Sequence, residues 1–274
     1  MKYLLICFMG LSSFAFAQDI SVMSYNIKLD YPKDGVNSWA NRKPFFIKQL
    51  KFYEPDIIGV QEAMPNQMKA MDSLLVDYSY VGVGRDDGAD AGEYSALFYK
   101  TQKFEILKSG TFWLSETPDE VSRGWDAVCH RICTYALLKD KASAKTFWLF
   151  NTHFDHVGEL ARTNSAVLIL EKIKAFNIED VPVVLTGDFN MEPDHPSIHR
   201  IMEDLNDSKQ IAKLSFGPEG TFNGFHFNKP VTRRIDFVFV SKEVEVPKYA
   251  ALSDNWNLQY PSDHLPILIT LRLK

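Results

Sequence analysis

Val181-Pro182-Val183-Val184-Leu185-Thr186 runs directly into Gly187-Asp188-Phe189-Asn190, and this junction decides the fold. An uncharged, valine-rich run of this length reads as a strand buried on both faces. The stretch before it, from about Gly158 to Ala175, spaces Leu160, Val167, Leu168, Leu170 and Ile173 as the apolar stripe of a helix. Working outward, Ile20-Ser21-Val22-Met23-Ser24-Tyr25 alternates as a strand and ends at Asn26, and Asp56-Ile57-Ile58-Gly59-Val60 is a buried strand that ends at Gln61-Glu62. Asn41 is placed to cap a helix reaching about Tyr53, with Pro44 in its first turn, and a further helix spans about Pro65 to Leu75. Other strands are expected near 78–83, 94–99, 104–113, 132–139, 145–152, 235–240, 246–252 and 265–272. Two buried sheets with helices outside them fit this order, as one α/β domain from residue 18 to 274.

Most of the apolar runs finish or begin in a polar pair. Asn26 ends one, Gln61-Glu62 the next, Asn151-Thr152-His153 a third, and Gly187-Asp188-Phe189-Asn190 the fourth. Arg234-Ile235-Asp236 opens a strand and Ser262-Asp263-His264 opens the last. Any one of these is ordinary turn or cap chemistry; the whole series at strand edges is not. Asn, Asp and Glu supply hard oxygen ligands, suited to Mg²⁺ or Mn²⁺ rather than zinc. An Asp beside a His favours the charged imidazole, and an Asp beside an Asn can activate water while the amide holds a substrate oxygen. These are the parts of metal-assisted water attack on a phosphate ester.

The ordered set Ser24-Tyr25-Asn26, Gln61-Glu62, Asn151-Thr152-His153, Gly187-Asp188-Phe189-Asn190, Arg234-Ile235-Asp236 and Ser262-Asp263-His264 resembles the endonuclease/exonuclease/phosphatase, or DNase I-like, superfamily across the chain from about residue 20. Gly84-Arg85-Asp86-Asp87-Gly88, Gly92-Glu93-Tyr94-Ser95-Ala96-Leu97-Phe98-Tyr99 and Gly110-Thr111-Phe112-Trp113-Leu114-Ser115-Glu116 look like a secreted bacterial branch of it. The resemblance implies a four-layer α-β-β-α sandwich of two mostly antiparallel sheets. It implies Glu62 as principal metal ligand with Asn26 and Asp263, Asp188 orienting or deprotonating water, Asn190 and His153 on the scissile phosphate, and Asp236 paired with His264. Glu93 matches a carboxylate that pairs with the histidine at 153, and equally reads as a solvated strand residue. Arg131 stands where relatives place a phosphate-contacting arginine, although arginines also cover strand edges. His130, His195, His199 and His226 read as surface or loop residues, and His156 as a neighbour of the site. The loops at 30–41 and 220–228 border the site in this superfamily; Trp39 reads as a loop anchor, while Phe225 and Phe227 are open between anchoring and stacking on substrate.

A net charge of −5 argues against coating nucleic acid or anionic membrane. Lys2, the apolar run through Leu11 and Ala15-Phe16-Ala17 read as a signal peptide at 1–17 cleaved near Ala17, which places the protein in the periplasm or outside the cell. That run is too short to cross a bilayer of about 30 Å, and no stable membrane anchor is expected. Cys129 and Cys133 remain. Strand residues four apart sit roughly 13 Å apart, beyond the reach of about 7 Å for a disulfide, so two free thiols are expected. The expected function is a Mg²⁺- or Mn²⁺-dependent phosphoesterase, acting as a monomer, with a phosphodiester in the manner of a nuclease as first substrate. A phosphatase or a phospholipid or sugar-phosphate phosphodiesterase comes second. A catalytically silent binding module comes last, because the residue set is complete.

Overall fold

The computed structural model describes residues 19–273, so the leader expected at 1–17 lies outside the described residues. In chain order the elements are β1 (Ile20–Asn26), a 3-10 turn (Pro32–Asn37), α1 (Trp39–Tyr53), β2 (Ile57–Gln61), α2 (Pro65–Leu74), β3 (Tyr78–Val81), β4 (Leu97–Lys100), β5 (Phe104–Trp113), β6 (Ile132–Asp140), β7 (Thr146–His153), α3 (Glu159–Phe176), β8 (Val183–Asp188), α4 (Pro196–Asp204), β9 (Asn206–Asp207), α5 (Ser208–Ile211), β10 (Leu214–Phe216), β11 (Asp236–Val240), β12 (Glu245–Ala251) and β13 (Ile267–Arg272). They form one sheet in the order β10-β12-β13-β1-β2-β4-β3 and a second in the order β5-β6-β7-β8-β11-β9.

Successive side chains of a strand point to opposite faces, and here each face meets a different core. Val184 of β8 joins Ile20, Val22, Leu149 and Ile269 between the sheets. Its neighbours Val183 and Leu185 join Phe150, Ile169, Ile198 and Phe239 on the side of α3 and α4. Met23, Tyr25, Ile58 and Val60 meet Phe46, Leu50, Met68 and Met71 from α1 and α2. The result is a four-layer α-β-β-α sandwich, mostly antiparallel within its sheets. A fully buried side chain of this size contributes about 1.5–3 kcal/mol, against roughly 0–1 kcal/mol for an exposed ion pair. The three cores therefore hold the layers together.

Parallel pairing then places the polar strand ends. β1 and β2 are parallel with Asn26 opposite Gln61, and β7 and β8 are parallel with His153 opposite Asp188. Parallel neighbours end on the same rim and need a crossover, which α1 and α3 supply. The antiparallel neighbours β13 and β11 begin on that rim, and they bring Ser262–His264 and Asp236 to it. Beneath the rim the sheets approach closely at Gly59, where a Cβ would lie 2.4 Å from Thr186 Oγ1 and 2.8 Å from Asn151 Oδ1. Buried Asn151 crosses this gap, donating from Nδ2 to Val60 O (2.8 Å) and Ala96 O (3.0 Å) and accepting from Gln61 Nε2 (2.6 Å) and Thr186 Oγ1 (3.0 Å).

Several local expectations are corrected. α1 starts at Trp39 behind Ser38, so Pro44 lies inside the helix and not in its first turn; Asn41 donates back to Gly35 O and Val36 O. The buried face of α3 is Ala161, Ser165, Ala166, Ile169, Leu170 and Ile173, while Leu160 and Val167 are 53% and 38% exposed. Three of these six residues are Ala or Ser, whose small side chains carry little apolar signal in the sequence. The expected strand at 94–99 is shorter, and Tyr94 forms only isolated bridges with Ala63 and Gly84.

Candidate active site

One amide joins the two sheets at the rim. Asn26 Nδ2 donates to Glu62 Oε1 (3.0 Å) and to Asp188 Oδ2 (2.9 Å), and Asn26 Oδ1 accepts the N–H of Lys28 (3.0 Å). Glu62 Oε2 accepts from Leu29 N at 3.0 Å and lies 3.7 Å from Lys28 Nζ. Asp188 Oδ1 accepts from Asn190 N (2.9 Å). Asn190 Nδ2 donates to Phe154 O (3.0 Å) and lies 3.2 Å from His153 Nε2. Glu62 and Asn190 both sit in left-handed backbone, with φ of 62° and 50°. Residues are held in that region only where the surroundings over-determine them, and such strain concentrates at functional sites.

The histidines fall into two charge states. Burial works against charge on His264, yet the carboxylates of Asp236 and Asp188 push its pKa up to about 10; its Nδ1 lies 2.8 Å from Asp236 Oδ2 and its Nε2 3.7 Å from Asp188 Oδ2. His153 is held well below its usual value by burial and by the charges of Arg131 and Arg85, so it is neutral near pH 7. Burial and the charge of Asp236 raise Asp188 to about 7. Burial also raises Asp263 and Glu93, whereas Lys28 and the Asn26 amide outweigh burial at Glu62 and hold it below its usual value.

The segment carrying Asp263 and His264 is clasped from two sides. Ser262 Oγ donates to Asn26 O (2.7 Å). Asn223 donates from its backbone N to Asp263 O and from Nδ2 to Ser262 O. Thr221 Oγ1 accepts from the N–H groups of both Ile235 and Asp236 (3.2 Å each). Arg42 ties the flanking loops together, reaching Ile27 O and Pro261 O while lying over the rings of Trp39 and Phe225. Trp39 is the buried anchor expected of it, and Phe227 rests against Tyr260.

A cavity of about 350 Å³ opens over these groups, lined among others by Glu62, Glu93, Arg131, His153, Asp188, Asn190, Asp263 and His264. The structure thus brings together nearly the whole predicted set, with buried Asn26 and Asp236 directly behind it. Glu93 faces His153 Nδ1 at 3.9 Å and is bonded by Arg85 Nη1 at 2.7 Å. Phe222, from the 220–228 loop expected to border the site, lines it, whereas sequence reasoning assigned no role to the lining residues Lys28, Leu29, Arg85 and Arg233. Arg85 lies in the Gly84–Gly88 stretch that carried the resemblance, and Lys28 two residues beyond Asn26; neither position marks a site by itself. Cys129 and Cys133 are both free, as expected.

Among the described residues, two groups bring metal-ligating atoms within 4.8 Å of one another, Asp188 with Asp236 and His264, and Cys129 with Asp155 and His156. In the second, Arg131 already supplies the cation, through Nε to Asp155 Oδ2 (3.3 Å) and Nη2 to His156 Nδ1 (2.9 Å). The rim fits a hard divalent cation better. Glu62, Asp188 and Asp263 line the cavity with hard oxygen donors, burial pushes Asp188 and Asp263 up, and the buried Asp236 Oδ1 has no hydrogen-bond partner. Asn26 faces the carboxylates with its Nδ2, so serving as a ligand through Oδ1 requires its amide to turn over and Lys28 N–H to lose its acceptor.

Water attack on a phosphate ester needs a base near neutrality, positive charge against the developing oxyanion, and amide donors to hold it. All three meet in this cavity, which makes the protein a phosphoesterase by class. Comparison with known proteins carries this to a family. The profile of the Endonuclease/Exonuclease/phosphatase family matches residues 23–264, and the chain belongs to that family. Its structure is similar to a mannosyl-6-phosphatase of Bacteroides thetaiotaomicron, with a TM-score of 0.90 and 40% identity over 92% of this chain and 99% of that one. An endonuclease/exonuclease/phosphatase of Bacteroides vulgatus gives 0.90 and 42% over 94% and 100%. A mimivirus protein of uncharacterised function is 29% identical over 85% of this chain and 92% of its own length.

Proposed function

We propose that the protein hydrolyses phosphate monoesters of small polar molecules, sugar phosphates first among them, with Mg²⁺ or Mn²⁺ as cofactor. The observation that carries this reading is the shape and charge of the site: a cavity of about 350 Å³ whose walls include Lys28, Arg85 and Arg131. It suits a compact dianion better than a polymer lying across the surface. The likeness to a mannosyl-6-phosphatase supports it, and so does a net charge of −5, which offers no surplus for tracking a nucleic-acid backbone. The phosphodiester favoured from sequence becomes the second reading.

Glu62, Asp263 and Asn26 would hold the cation, which when bound supplies Lewis-acid polarisation of the phosphoryl group. Asp188, raised by burial and by the charge of Asp236, takes the proton of the attacking water. Asn190 donates its amide to a phosphoryl oxygen while His153 stands neutral beside it. His264, held charged by Asp236, stabilises negative charge as it develops. We further propose that the chain is exported after cleavage near Ala17 and acts as a monomer; no helix among the described residues is long and apolar enough to cross a membrane.

The test compares mannose 6-phosphate, p-nitrophenyl phosphate, bis-(p-nitrophenyl) phosphate, DNA and RNA as substrates with Mg²⁺, Mn²⁺ or EDTA. Metal-dependent release of phosphate from the two monoesters is expected. Cleavage of diesters without any monoester turnover would overturn the reading.

A further inference from the structure

We propose that Arg233 holds the alcohol part of the substrate, and that Glu192 beside it tunes the site towards a neutral, hydroxyl-rich leaving group and against a second anionic one. The proposal rests on the phosphate-monoester reading above and deepens it. It assigns what lies beyond the phosphate to two side chains for which the sequence carried no role.

Three planar groups run outward along one wall of the cavity. His264, Phe222 and Arg233 all line it. The Phe222 ring meets His264 edge to face with centroids 5.0 Å apart, and the Arg233 guanidinium lies over that ring, 5.2 Å from its centroid. His264 is 4% exposed, whereas the side chain of Arg233 is 53% exposed, so the series leads from the reacting centre to the mouth. The backbone beneath it is fixed. Arg233 O accepts the N–H groups of both Thr221 (2.8 Å) and Phe222 (3.0 Å), and Leu265 N–H donates to Thr221 O (2.6 Å). A Cβ on Gly220 would lie 2.5 Å from Thr232 C, so this close approach requires the glycine.

Arg233 differs from the other cations of the wall. Lys28, Arg85 and Arg131 lie 3.7, 2.7 and 3.3 Å from the carboxylates of Glu62, Glu93 and Asp155, each with a side chain less than half as exposed as that of Arg233. Arg233 has Glu192 Oε1 3.5 Å from its Nε, with both side chains about half exposed. Exposed ion pairs of this kind are weak, while stacking on Phe222 fixes the guanidinium plane. The N–H edge of that plane is therefore available to a ligand at little cost. Glu192 follows Asn190 by two residues and balances the Arg233 charge at the mouth. A second phosphate or carboxylate on the substrate would gain from Arg233 and lose to Glu192. A hydroxyl accepts from the guanidinium without that repulsion, and the Phe222 ring offers apolar surface to the carbons between hydroxyl and phosphate.

The test compares leaving groups. Arg233→Met, which keeps an apolar stem without the N–H groups, and Glu192→Gln are assayed beside wild type with Mg²⁺ on mannose 6-phosphate, p-nitrophenyl phosphate and fructose 1,6-bisphosphate. Arg233→Met is expected to lower kcat/KM for mannose 6-phosphate relative to p-nitrophenyl phosphate by about tenfold, chiefly through KM, the lower end for a hydrogen bond to a charged group. Glu192→Gln is expected to raise kcat/KM for the bisphosphate relative to mannose 6-phosphate by about two- to fivefold, the scale of one exposed charge. Equal losses on mannose 6-phosphate and p-nitrophenyl phosphate, or no loss on either, would overturn the assignment and leave the phosphatase reading intact. So would a wild type that prefers the bisphosphate to mannose 6-phosphate by about tenfold or more. A wild type without any monoester turnover would overturn both.

Discussion

Asn151 lies at the crossing of the two sheets, and its replacement by Asp tests whether that crossing positions the rim. The substitution keeps the shape and the two accepted bonds, from Gln61 Nε2 and Thr186 Oγ1. It sets an oxygen where Nδ2 now donates, facing Val60 O at 2.8 Å and Ala96 O at 3.0 Å. Two hydrogen bonds at about 1 kcal/mol each are lost, and Val60 O loses a buried donor at a further 1–3 kcal/mol or so. Ala96 O keeps the N–H of Val60 at 2.9 Å, which limits the damage. The expected loss is about 3–5 kcal/mol, equivalent to a fall in Tm of roughly 10 °C for a chain of this size. The introduced carboxyl, buried among carbonyls, has a folded-state pKa above its usual value of about 3.9. The deficit is therefore full above that raised pKa and shrinks as the pH falls towards about 4. Thermal unfolding followed by circular dichroism at pH 7 and pH 5 measures both effects. A variant melting within about 2 °C of wild type at pH 7, or a deficit equal at the two pH values, refutes the account.

Asp188→Asn should lower kcat by about 10²–10⁴-fold, the range for a lost general base, while Tm at pH 8 holds or rises, because burial and Asp236 disfavour the charge being removed; steady-state kinetics beside a melting curve decide, and near-normal turnover refutes the assignment. Treatment with EDTA should abolish turnover and added Mg²⁺ or Mn²⁺ restore it, and metal at a hundred times its Kd should stabilise the fold by about 2.7 kcal/mol, read by differential scanning fluorimetry; turnover that persists in EDTA counts against a metal. At Asp155 burial opposes the charge, but the N–H groups of Gly158 and Val157 and the Arg131 guanidinium overcome it and hold the pKa down to about 2. A depressed carboxylate stabilises the fold above its unfolded value and loses that contribution as the pH falls towards 2, so Asp155→Asn should flatten the acid limb of stability between about pH 4 and 2, as measured by urea unfolding; an unchanged limb refutes this.

The junction at 181–190 was legible because a strand buried on both faces leaves no alternation, and β8 is buried throughout. The polar strand ends were legible because turn chemistry alone does not repeat them at every rim position. The packing face of α3 was not, since Ala161, Ser165 and Ala166 are buried there with small side chains. α4 escaped notice for a related reason. Only Ile198 and Ile201 among its apolar residues are buried, and its cap is His195, whose Nδ1 accepts from Ser197 N. The cationic wall was the least legible part of the site. Arg85 and Lys28 are set by loop geometry, and only the folded chain shows Arg85 braced on Glu93 and Lys28 beside Glu62.

The clasp at Asn26 has a consequence in time. Asn26 and Asp188 are 162 positions apart, and Ser262 reaches back 236 positions to Asn26 O. β13 lies between β12 and β1, in the interior of its sheet. Contacts closed over such lengths of chain form late and slowly. During synthesis, a ribosome-bound fragment ending before residue 262 carries Glu62 and Asp188 but cannot close the pocket around them. Closing the pocket thus waits on the segment at 262–264 that leads into β13.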